Sequence, residues 1–158
     1  MSHTAESGLG FGLTSGVITT LGLLVGTAAS THDASLVAGS ILTIALADSM
    51  SDAFGMHVSA ESNNASERNT WVVTFATFGA KLATTLTFLI PVLILPLNAA
   101  VWISIIWGCL LLIGLSSFIA KQRGEHIMKP IIEHVGLALL VVYLSNTLGD
   151  NIKQIFSK

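Results

Sequence analysis

The sequence predicts an all-α, polytopic membrane protein with five transmembrane helices forming a single domain over residues 1–158. Two observations carry that reading. Charged residues make up 10% of the chain and apolar ones 52%, with mean hydropathy +0.76, whereas soluble domains average about 25% charged residues. The apolar residues also fall into runs of about the length needed to cross a bilayer, divided by short polar segments. Residues 1–7 hold no Lys or Arg, so no cleavable signal with a charged start is expected.

The first helix is expected over residues 9–29. Gly8, Gly12 and Gly16 are spaced four apart, as are Gly22 and Gly26. That spacing lets helix backbones approach closely in lipid. Thr14, Ser15, Thr19 and Thr20 add hydroxyls, so the helix reads equally as a packing face or as the lining of a path. His32 and Asp33 follow in a polar turn. Asp33 suits the start of the next helix better than a metal site.

The second helix, 36–60, is the informative one. Asp48 and Asp52 are four apart and stack on one face deep in the span. Met56 extends that face, while Met50 lies roughly 160° round from Asp52. A carboxylate at mid-membrane costs about 2.5–3.5 kcal/mol on insertion scales, and such residues commonly mark an ion or proton path. The competing reading is that the pair only holds helices together. His57 and Glu61, also four apart, close the helix before the polar loop 62–69.

The third helix, 70–89, carries Thr70, Thr74, Thr77, Lys81, Thr84 and Thr85 as a polar stripe. Lys81 and Asp48 each lie roughly 17–18 Å from the same membrane face, at 1.5 Å per residue. Matched depth predicts an ion pair that leaves the other aspartate free for chemistry; the rival is a lysine that snorkels. Pro91 and Pro96 are expected to end or kink this helix. The fourth helix, 99–120, has Trp102, Trp107 and Cys109 but no charge, and reads as scaffold. A charged connector, 121–129, leads through Pro130 into the fifth helix, 130–150. Glu133 and His134 lie in its first turns.

Arg68, Lys121, Arg123 and Lys129 fall on the N-terminal side of this topology, against Lys153 and Lys158 on the other. The positive-inside rule then puts the N-terminus in the cytoplasm and the C-terminus outside. His57, Glu61, Glu67, Glu125, His126, Glu133 and His134 would share the cytoplasmic mouth. Carboxylate and imidazole suit divalent iron and manganese. Metal binding is therefore expected at Asp48 and Asp52, with Met56 as a soft ligand, and at His57 and Glu61. Ser15, Thr19, Lys81, Glu133 and His134 are expected along the ion path or in its coupling.

Other classes are poorly served. A net charge of −2 without a basic patch argues against nucleic acid. No Ser/His or Cys/His constellation lies at membrane depth, and the two aspartates share a helix, so an enzyme is not expected. No bound cofactor is implied, only a transported divalent cation, Fe2+ or Mn2+.

Three segments together resemble the vacuolar iron transporter family. They are Ser15-Gly16-Val17-Ile18-Thr19-Thr20 with Gly22 and Gly26, then Ala47-Asp48-Ser49-Met50, and the run from Pro91 to Pro96. The chain looks like a divergent, short prokaryotic-type member. The resemblance implies a homodimer in a prokaryotic inner membrane, exporting ferrous iron or manganese from the cytoplasm in exchange for protons. It also implies a path between protomers, lined by a first-helix acid and a second-helix methionine that maps to Met50, and so adds Met50 as a metal ligand. The chain departs from the pattern in three ways. Ser15 stands where the family has the acid. Asp48 and Asp52 stand where small residues are usual, as substitutes from the next helix. The family's cytoplasmic metal-binding domain is reduced to the loop 62–69.

Overall fold

The structure is a computed structural model and describes residues 3–156. Lys158, counted above in the charge comparison, lies outside the described residues. The chain folds into α1 (His3–Thr31), α2 (Ala34–Ser62), α3 (Glu67–Thr87), α4 (Leu89–Ile94), α5 (Leu97–Arg123) and α6 (Met128–Phe156). With α3 and α4 taken as one span, five segments among the described residues are long and apolar enough to cross a membrane.

Most helix ends lie beyond the expected ones. The apolar run measures the hydrocarbon layer, about 30 Å. The 29 residues of α1 rise about 43 Å, so its polar end turns continue the helix into the interfacial zone. The α1–α2 turn is tight. His32 takes a left-handed φ of 54°, and the Asp33 carboxylate accepts from the Ser35 and Leu36 amides at 2.7 and 3.3 Å. Asp33 is thus the N-cap its residue type suggests. Ser66 caps α3 in the same way, accepting from the Asn69 amide. Gly124, at φ 66°, ends α5 in the left-handed region that favours glycine.

Pro91 acts upstream of its own position. It has no amide to return to Thr87 O, and the ladder breaks between α3 and α4, where Phe88 N bonds to Thr85 O, three residues back. Pro96 then leads into α5 as its N-cap.

α1 is the central helix and packs against α2, α3, α5 and α6. Its glycines make this possible. A Cβ on Gly8 would stand 2.7 Å from Val73 O, one on Gly12 2.5 Å from Thr77 O, and one on Gly16 3.3 Å from Lys81 O. These contacts run parallel along α3. Gly22 meets Val141 and Ser145 of α6, and Gly149 of α6 meets the Gly26 carbonyl. Of the two readings left open for the first helix, the packing face is the one its glycine rows form. α5 runs antiparallel to α1, with Gly108 against Leu21 and Val17. The molecule is two helix pairs, α2–α3 and α5–α6, on opposite sides of α1.

Candidate functional site

The polar stripe of α3 faces inward. Thr70, Thr74, Thr77, Lys81, Thr84 and Thr85 are all buried. The threonine hydroxyls at 70, 74 and 77 bond back to carbonyls of their own helix, which satisfies them without a partner helix. Lys81 is different. It is only 1% exposed, and its ammonium reaches Asp48 Oδ2 at 2.6 Å and Asp52 Oδ2 at 2.5 Å. The matched depth expected from the sequence is therefore realised, with one difference: the lysine takes both carboxylates rather than one. Stacking at i and i+4 on α2 makes that possible, because one ammonium can sit between two side chains a single turn apart.

Ser15 completes the cluster from α1. Its hydroxyl donates to Asp52 Oδ2 at 2.6 Å and accepts from Lys81 Nζ at 3.0 Å. Thr19, one turn on, returns its hydroxyl to Ser15 O at 2.8 Å and does not join the acids directly. The Asp48 and Asp52 side chains remain 31% and 21% exposed. With two carboxylates and one ammonium ionised, the cluster carries one net negative charge. It is thus a three-helix charge site whose inner side is filled by lysine and whose outer edge is uncovered.

The other expected residues are distributed as follows. Met50 is 58% exposed, away from Lys81, and Met56 is half-buried. His57 lies one turn beyond the acids. Its Nδ1 is hydrogen-bonded to Thr74 Oγ1 at 2.9 Å. Its Nε2 faces Glu61 Oε1 at 3.5 Å. The ring is held between Phe54 and Trp71. His134 is on the other side of α1, its Nδ1 2.8 Å from Ser116 Oγ of α5. Glu133 is exposed. The histidines and acids expected at one mouth are therefore divided between two helix pairs. Among the described residues, no three His, Cys, Asp or Glu side chains come together to hold a metal ion.

Two further hydroxyls lie near the site, and of these only Ser49 had no role of its own in the sequence reading. Thr20 bonds to Thr85 at 3.2 Å and extends the α1–α3 polar seam beyond Lys81. Ser49 Oγ, between the aspartates in sequence, is buried without a hydrogen-bond partner. Its type and position were the only signal, since helix spacing turns it inward with Ala45 and Ala53. Compared with protein-family models, curated proteins and solved structures, the chain matches none.

Proposed function

We propose that the chain is a transporter that exports divalent metal cations, iron or manganese above all, from the cytoplasm in exchange for protons. The observation that supports it is the convergence of Asp48 and Asp52 on Lys81 beside Ser15 at mid-span. Such a group is expensive to keep in hydrocarbon and is usually functional. It holds a net negative charge that a cation or a proton can neutralise. In this reading the arriving ion meets the uncovered carboxylate edges and competes with Lys81 for them. Protonation of the aspartates then releases it. Lys81, with the Ser15 hydroxyl as its other partner, resets the site. The resemblance to vacuolar iron transporters points the same way, with the acids moved from the first helix to the second.

The same reading calls for a second copy of the chain. Two carboxylates are a thin ligand set, and their exposed edges lie on the outer face of α2. About 100° round α2 from each aspartate runs a row of small residues, Gly39, Thr43, Ala47, Ser51, Gly55 and Ser59, all exposed. Nothing lies within 4 Å of a Cβ built on Gly39 or Gly55. Leu42, Leu46, Met50, Phe54 and Val58 form a neighbouring row of large, exposed side chains. A large row beside a small one is self-complementary, as a two-fold contact requires. A homodimer through α2 brings a second acidic pair beside the first and puts Met50 in the contact between copies. The positive-inside rule sets the N-terminus in the cytoplasm.

A second reading is favoured by a specific observation. Lys81 already occupies both aspartates, and no third metal-ligating side chain joins them among the described residues. On that ground the site is a structural clamp in a non-transporting assembly or regulatory subunit. Reconstituted protein in liposomes separates the two. Uptake of ferrous or manganese ions with a matching internal pH change supports transport; no flux of ferrous, manganese, zinc or calcium ions supports the clamp.

A further inference from the structure

α5 and α6 are joined near one end by Ser116 and His134 and part toward the other. Between them, floored by α1, is an open cleft of about 770 Å3. That volume falls within the range of small-molecule sites. Its deep part is apolar, lined by Val25, Val101, Ile105 and Val142. Its outer part, at the last turn of α1, the first of α5 and the final turns of α6, is polar, with Asn98, Asn146 and Asp150. Trp102 and Tyr143 line the walls and are 67% and 68% exposed. Such side chains favour the boundary between headgroups and hydrocarbon.

The polar end has a defined charge pattern. Asp150 accepts from Asn146 Nδ2 at 3.0 Å and keeps an exposed carboxylate. Three residues on, Lys153 donates to His32 Nε2 at 3.2 Å, while His32 Nδ1 is 3.0 Å from Ala28 O. Both ring nitrogens are occupied, so His32 serves to hold Lys153 over the end of α1. Asp150 thus lines the cleft, and the Lys153 ammonium is held beside it on His32, which also lines it; Cβ atoms three apart on a helix are about 5–6 Å apart.

We infer that this cleft binds a phospholipid with an ammonium headgroup, its acyl chain along the apolar floor, its ammonium on Asp150 and its phosphate on Lys153. A lipid is the occupant because the exposed walls open to the hydrocarbon layer while the mouth matches a headgroup bearing both signs of charge. The inference rests on the chain spanning a membrane and stands whether or not it carries a cation.

The test equilibrates the full chain in detergent with equal amounts of phosphatidylethanolamine and phosphatidylglycerol, and reads retained lipid by native mass spectrometry. The expected result is retention of phosphatidylethanolamine in preference to phosphatidylglycerol. Asp150→Asn, at an exposed position, lowers that preference by up to about fivefold, the upper range for an exposed ion pair. Val142→Trp, which fills the deep apolar part, removes both lipids. Equal retention of the two lipids by the unaltered protein overturns the proposal, as does an unchanged pattern in both variants. Loss of dimers rather than lipid in Val142→Trp assigns the cleft to a second copy and also overturns it.

Discussion

The Lys81 ammonium donates to the Ser15 hydroxyl at 3.0 Å across the contact between α3 and α1. The same hydroxyl donates to Asp52, so α1 is bonded to both signs of charge in the site. Ser15→Ala removes both bonds but leaves the ion pairs. A net hydrogen bond contributes about 0.5–1.5 kcal/mol, and more where a partner is charged. The variant is expected to fold, with a lowered unfolding midpoint in detergent and slower metal flux in liposomes.

Lys81→Met is expected to be far more damaging. It leaves two carboxylates without their cation, and breaking a buried pair costs about 3–5 kcal/mol. Adding Asp48→Asn and Asp52→Asn to it removes the orphaned charges. The triple variant should therefore be more stable than Lys81→Met alone, though inactive in transport. Thermal unfolding of the three proteins side by side checks this; a triple variant no more stable than the single one contradicts the charge argument.

The glycines separate packing inside the chain from packing between chains. A Cβ on Gly12 would meet Thr77 O at 2.5 Å, whereas one on Gly39 or Gly55 meets nothing within 4 Å. Gly12→Ala should destabilise the fold, because the obstruction is backbone. Gly39→Leu and Gly55→Leu should leave the unfolding midpoint nearly unchanged and weaken dimers, as read by light scattering in detergent. Unchanged dimers in both leucine variants count against the α2 interface.

His57 links the acidic segment of α2 to α3. His57→Phe preserves the stack with Phe54 and Trp71 and deletes the bond to Thr74. Folding should be little affected, and metal flux should fall if the imidazole receives the ion before Asp52. Initial rates at low metal concentration are the readout.

Much of this was legible in the sequence. The spans follow from apolar runs, and the glycine spacing of α1 foretold close helix contacts. The Lys81–Asp48 contact follows from counting rise along two helices. What was not legible depends on which helix lies beside which. Nothing in the spacing of His57 and His134 says that α1 stands between their helix pairs. Nor does it say that one ammonium takes both aspartates, since that requires α1 to seat Lys81 through Gly12 and Gly16. Pro91 was visible as a break, but the displacement of that break to Phe88 depends on its missing bond to the preceding turn.

The most direct test of the central claim is metal flux into proteoliposomes with internal pH recorded, comparing the unaltered chain with Asp48→Asn and Asp52→Asn. The account predicts ferrous or manganese transport with a coupled pH change in the first, and none in either variant, both still folded. Normal transport by both variants, or no transport by the unaltered chain, contradicts it.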